Sequence, residues 1–200
     1  MDNPLGSPEF WNELYLSDRA EWDLGTPTPT FVDLLKTNRF APGKTLVLGS
    51  GKGHDAVLFA QHGFDVTAVD SSDEAIKHAR QLAAEKGVAI NLVQEDMFDY
   101  SLGITGEFDY VLEYVTYCAI DPSRRPEYAA MIPSLMKASG KFIALFFPLD
   151  ERIGGPPFSV SMDEVSRLFG KKMELISLEA PLNSVAPRKG KELLTVWKKK

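Results

Sequence analysis

Residues 45–55 read TLVLGSGKGHD, and a second apolar run, DVTAVD, closes on Asp70 about 20 residues after the first glycine. This pairing describes a buried strand, a glycine turn, a helix, and a second strand with an acid at its tip. Such a turn lets the backbone approach a ligand closely, and the acid can accept hydrogen bonds from two vicinal ribose hydroxyls. The glycine spacing narrows the ligand. A dinucleotide fingerprint, G-x-G-x-x-G, needs a glycine where His54 stands; the pattern here is the tighter Gly49-x-Gly51-x-Gly53. That departure counts against a nicotinamide-dependent oxidoreductase.

On either side of this segment, short apolar runs alternate with amphipathic stretches, the mark of βα units around a mostly parallel sheet. Expected strands cover residues 44–48, 64–69, 89–93, 108–113 and 141–147. Residues 173–180 and 192–198 add an antiparallel pair at the sheet edge, for seven strands in all. Ser72 or Asp73 is placed to cap a helix to residue 86, with Ala75, Ile76, Ala79, Leu82 and Ala83 on one face. A second helix is expected over 125–137 with Gly140 ending it, and a short one over 162–169, where Ser161 and Glu164 have capping-box spacing. Residues 1–40 and the Pro/Gly-rich segment 148–160 fall outside this rhythm, and both are candidate lids over the carboxyl edge of the sheet, where ligands of such folds bind.

The 200 residues suit a single α/β domain. A net charge of −6 argues against a nucleic-acid surface, which carries a basic stripe. One cysteine, Cys118, excludes an internal disulfide framework and a cysteine-rich zinc site, and in its apolar setting it reads as a packed thiol. The histidines His54, His62 and His78 have no metal or triad spacing, so no metal is expected. No apolar run approaches the ~20 residues that span a membrane, and no signal pattern opens the chain. A cytoplasmic monomer acting on a small molecule, away from membrane and nucleic acid, is the expectation.

The candidate chemistry gathers at strand ends. Gly49, Ser50, Gly51 and Gly53 form the loop, and Asp70 with Ser71 follows the second strand. Asp55 either caps the next helix or supports the loop. After the third strand, Asp96 is placed to accept from an adenine amine, flanked by Met97 and Phe98. The fourth ends at Glu113-Tyr114, and aromatic groups just past it suit a sulfonium cation.

The glycine spacing is similar to that of class I S-adenosylmethionine (SAM)-dependent methyltransferases, and longer motifs sharpen the likeness. FWNELY (10–15), EWDLGTPTP (21–29), LGSGKGHD (48–55), AVD (68–70), EDMF (95–98), EYVTYCAIDPSRRPEYA (113–129), FFPLDERIGGPPFSVS (146–161) and PRKGKE (187–192) occur in order along nearly the whole chain. Together they resemble the thiopurine S-methyltransferase-like family, including bacterial members and plant halide/thiol methyltransferases. The resemblance implies a Rossmann-like class I methyltransferase fold with an N-terminal helical lid, and SAM as cofactor with S-adenosylhomocysteine as product. It implies methyl transfer to a thiol, bisulfide, halide or thiopurine sulfur. Trp22, Leu24 and Gly25 would pack on the cofactor, joining the loop, Asp70, Ser71, Asp96, Met97, Phe98, Glu113 and Tyr114. Trp11, Tyr15, Tyr117 and Phe158 would wall the acceptor, and Tyr117 with Asp121 would orient it or relay its proton. The family's loop usually begins Pro-Gly-Cys-Gly where this chain has Leu48-Gly49-Ser50-Gly51, and plant members often carry Phe-Phe where Thr116-Tyr117 stand. The competing reading is a SAM- or S-adenosylhomocysteine-binding protein without catalysis.

Overall fold

The computed structural model describes residues 4–200; the first three positions of the expected N-terminal lid lie outside the described residues. Seven strands form one mostly parallel sheet in the order β3-β2-β1-β4-β5-β7-β6, and the chain divides into two compact units, residues 1–100 and 101–200.

The first unit runs α1 (Pro8–Leu16), α2 (Pro29–Lys36), β1 (Lys44–Leu48), α3 (His54–Gln61), β2 (Asp65–Asp70), α4 (Asp73–Lys86), β3 (Asn91–Gln94) and the start of α5 (Met97–Ser101). β1 pairs parallel with β2, and β2 with β3. Ser72 caps α4 by accepting from the Ala75 N–H, and Gly87 closes it in the left-handed region. On α3, Phe59 is fully buried and meets Phe31 of α2 and Phe64 edge-on. Burying one such ring contributes about 1.5–3 kcal/mol, which anchors α2 and α3 under the sheet.

The second unit contains β4 (Phe108–Tyr114), α6 (Arg125–Leu135), β5 (Met136–Phe146), α7 (Met162–Phe169), β6 (Met173–Glu179) and β7 (Leu193–Lys199). β4 and β5 are parallel; β7 runs antiparallel to both β5 and β6, which gives the edge pair its expected sense. Phe142, Phe146, Phe169 and Trp197 form its aromatic core.

Two elements differ from expectation. The helix expected over 125–137 stops at Leu135 and passes directly into β5, which is far longer than the expected 141–147. Phe108 pairs with Met136 and Tyr110 with Lys141, so the intervening residues fold into a bulge. Gly140 therefore does not end a helix. A Cβ there would sit 2.8 Å from the Met136 Cβ and 3.0 Å from the Phe108 carbonyl oxygen, closer than the bulge allows. The capping box of α7 is also absent. Ser161 makes no side-chain cap bond, and Glu164 binds Arg125 at 2.8 Å instead. A buried guanidinium is a stronger partner than a backbone amide.

Candidate active site

In the first unit the glycine turn is built against β2. The Ser50 N–H donates to the Val69 carbonyl, and the Gly53 N–H to that of Ser50. Gly53 has φ +80° and opens α3; a Cβ on it would lie 2.7 Å from that of Ala79 on α4. Only glycine permits that turn and that approach together. The Asp70 carboxylate, buried at the tip of β2, accepts from the Gly51 N–H at 2.8 Å and the Ser72 N–H at 2.9 Å. Burial raises its pKa, and these two donors partly offset the rise. Ser71 lies half-buried between them in sequence. Ser50 Oγ is buried without a hydrogen-bond partner, a polar atom suited to a polar ligand.

The aromatic N-terminus closes on this turn. Trp22 meets Trp11 and Tyr15 edge-on at 5.6 and 5.5 Å, and its indole N–H donates to the Tyr15 hydroxyl. That hydroxyl lies 3.0 Å from where a Gly51 Cβ would stand. Asn12 accepts from the Ser72 hydroxyl at 2.5 Å, pinning α1 to the cap of α4.

Sequence reading missed two latches. Asp23 binds the Lys52 ammonium of the glycine turn at 2.8 Å, accepts from the Gly25 N–H, and faces His54 at 3.5 Å. Burial opposes its charge, yet these partners hold its pKa below the usual carboxylate range; burial depresses His54 despite the pull of Asp23. Asp55 stands in the first turn of α3. It takes both the N–H and the hydroxyl of Thr28 at 2.7 Å, tying α2's start to α3. Asp23 lies inside the EWDLG stretch, so an acid one residue from Trp22 was the available signal. Leu24 is half-buried beside it. Asp96 caps α5 through the Phe98 N–H, Phe98 is buried, and Met97 is half-buried.

In the second unit Glu113 is 1% exposed and takes three internal donors. It accepts from the Thr116 and Tyr117 N–H groups and from the Tyr128 hydroxyl at 2.6 Å. Burial pushes its pKa up to about 7 against these donors and Arg125. The turn it clamps contains Val115 at φ +56°, a left-handed conformation that strains a β-branched residue by about 1–3 kcal/mol. Placement differs from expectation for both residues assigned to orient the acceptor. Tyr117 is 1% exposed, packed among Tyr128, Phe146 and Phe169 with the Arg125 guanidinium 4.7 Å over its ring. Asp121 is fully exposed and holds the N–H and hydroxyl of Ser123, which lowers its pKa. Packing accounts for the Tyr117 ring, whose hydroxyl is buried without a hydrogen-bond partner, and capping accounts for Asp121. Cys118 is buried, and burial pushes its thiol up to about 12. Its carbonyl accepts from the Phe158 N–H at 2.7 Å, so the 148–160 segment is fastened to the turn after β4.

Tyr114, half-buried at the end of β4, donates its hydroxyl proton to Glu192 at 2.7 Å and accepts from Arg188. Arg188 and Glu192 are 5% and 4% exposed, and the guanidinium lies over the Tyr114 and Phe147 rings at 5.2 and 5.0 Å. Both belong to the PRKGKE stretch, but nothing in its spacing signals a partner far upstream. Among the described residues no group of three or more His, Cys, Asp or Glu side chains is arranged to hold a metal, and no helix is long and apolar enough to cross a membrane.

Known proteins resemble this chain along nearly its whole length. The probable thiol methyltransferase 2 of Arabidopsis thaliana is 35% identical over 192 residues, spanning 94% of this chain and 84% of that protein. Thiocyanate methyltransferase 1 of the same plant is 34% identical over 194 residues, with the same coverage. The Burkholderia thailandensis 1,6-didemethyltoxoflavin-N1-methyltransferase, solved with its substrate and S-adenosylhomocysteine, superposes with a TM-score of 0.72. It covers 100% of this chain and 93% of that one at 20% identity, a likeness of fold. The model of thiopurine S-methyltransferase matches residues 6–199, a span that takes in both the glycine turn with Asp70 and the Tyr114–Arg188–Glu192 cluster; the chain belongs to the thiopurine S-methyltransferase family.

Proposed function

We propose that this protein transfers the methyl group of SAM to a small soft nucleophile: a thiol, bisulfide, a halide or a thiopurine sulfur. The observation that carries the reading is the cradle of the first unit, in which Asp70 braces the Gly51 N–H beside a buried hydroxyl, Ser50 Oγ, that has no hydrogen-bond partner. These groups fit the cofactor. The loop of Gly49, Ser50, Gly51 and Gly53 takes its amino-acid portion, and Asp70 with Ser71 takes the ribose hydroxyls through charge-assisted bonds. Asp96 and Met97 take the adenine, while Trp22, Leu24 and Gly25 cover it. Trp11 and Tyr15 supply apolar walls for the acceptor.

When bound, SAM supplies a methyl group made electrophilic by its sulfonium. An anionic acceptor and a sulfonium give two neutral products, so aromatic walls that exclude water favour the reaction. Alignment of reactants supplies up to ~7–11 kcal/mol in well-oriented systems. The thiol and thiocyanate methyltransferases among the relatives belong to the same soft-acceptor class.

The test is calorimetric binding of S-adenosylhomocysteine, together with SAM consumption against iodide, bisulfide, thiophenol, a thiopurine and a control lacking acceptor. Binding with turnover of at least one acceptor is expected. Binding with none turned over would overturn the transferase reading, and absence of binding would overturn the cofactor assignment.

A further inference from the structure

We infer that Tyr114 and Glu192 form a proton exit for acceptors that arrive protonated, with Arg188 fixing the phenol oxygen between them. The inference rests on the methyl-transfer reading above. Tyr114 ends β4, and ligands of open α/β sheets meet the carboxyl ends of the strands. The residue before it, Glu113, has its carboxylate occupied by three internal donors, so the acid at the strand tip is not the base. Tyr114 is different: its side chain is half-buried, its proton already points at a carboxylate, and its oxygen already receives a guanidinium N–H.

The phenol oxygen thus bridges a buried cation and a buried anion. The three residues come from the end of β4, a turn at Ala186–Arg188, and the residue before β7. Stacking of the guanidinium over the Tyr114 and Phe147 rings fixes its plane. Glu192 is therefore held as the acceptor of the Tyr114 proton at the carboxyl end of β4, the arrangement a one-step relay requires.

A thiol with pKa near ~8.5 is mostly protonated at neutral pH, and the neutral form is a poor nucleophile. In the relay the S–H bond breaks as that proton forms a bond to the Tyr114 oxygen, while the Tyr114 O–H bond breaks and its proton passes to Glu192. The acceptor is left as thiolate and Glu192 as carboxylic acid, which later returns its proton to water. Tyr114 gains one proton as it loses another and never becomes a phenolate. Burial holds its own ionisation far above neutrality, so only such a concerted exchange is open to it. Iodide and thiocyanate carry no proton and do not need the relay.

The experiment compares Glu192→Gln with the wild type on an alkyl thiol and on iodide across pH 6–10. The amide still accepts from Tyr114 but cannot take a proton. At pH 7 the thiol-to-iodide turnover ratio is expected to fall at least about tenfold, because only a few per cent of such a thiol is ionised in solution. Thiol turnover by the variant should then climb with pH until the thiol itself ionises. Tyr114→Phe should give the same thiol-to-iodide pattern, and the S-adenosylhomocysteine affinity of Glu192→Gln by calorimetry should stay near the wild-type value, reporting an intact fold. Equal losses on both acceptors, or a variant pH profile parallel to wild type, would overturn the relay. A wild type that binds S-adenosylhomocysteine yet methylates neither acceptor would instead overturn the transferase reading, and the relay with it.

Discussion

Asp70 and Glu113 are both acids at the carboxyl ends of parallel strands, both buried, and both raised in pKa by that burial. Their partners differ. Asp70 receives two backbone N–H groups, one of them from the glycine turn it faces. Glu113 receives two N–H groups and the Tyr128 hydroxyl, all within its own unit. A carboxylate offers about four acceptor sites, so Asp70 keeps more capacity for a ligand than Glu113 does. Burial and a shifted pKa therefore do not separate these two acids. The count of internal donors does.

The contrast breaks most readily at Glu113. Replacing it with alanine leaves three buried donors unpaired, each costing about 1–3 kcal/mol, and releases the turn that holds Val115. Denaturant unfolding should show a loss on the order of 3–5 kcal/mol. The pH dependence has a definite sign. A carboxyl at about 7 in the folded state, against an ordinary value of 4.5, binds more protons folded than unfolded between those limits. Its contribution is full below 4.5 and is lost as pH rises through 7. Glu113→Gln should flatten that slope. A loss under ~1 kcal/mol for the alanine variant, or an unchanged slope for Gln, would put Glu113 outside the fold's support.

Asp70→Ala tests the other half. If the carboxylate binds ribose hydroxyls, S-adenosylhomocysteine affinity should fall on the order of a hundredfold, about 2.7 kcal/mol, while turnover at saturating SAM falls much less. An unchanged affinity would make Asp70 merely the brace of the glycine turn, equivalent to Glu113 after all.

The glycine turn, the tip acid Asp70 and the antiparallel edge pair are legible in the amino-acid sequence, because spacing and apolar runs report the local geometry that dictates them. The α6–β5 junction is not: Gly140 looks like a helix stop, and only its closeness to Phe108 and Met136 shows that it serves a bulge. The Asp23–Lys52 latch and the Tyr114–Arg188–Glu192 cluster are contacts between distant segments. Periodicity carries no information about those. The same blindness explains Tyr117 and Asp121, whose position just past β4 suggests chemistry that their burial and exposure do not favour.

Those two residues supply the smallest expected effects. Tyr117 contributes its ring to the core and to the Arg125 guanidinium, so Tyr117→Phe keeps nearly every contact and removes only a buried hydroxyl that has no hydrogen-bond partner. Turnover should stay within about twofold of wild type, with stability changed by no more than about 1 kcal/mol. Asp121→Asn preserves an acceptor for Ser123 at an exposed turn, and its turnover should be indistinguishable from wild type. A loss of tenfold or more in kcat for either variant, with S-adenosylhomocysteine affinity intact, would move acceptor activation from the Tyr114–Glu192 pair to the turn that Glu113 clamps. Glu113 would then be second in a catalytic chain, and the contrast with Asp70 would become one between two kinds of active-site acid.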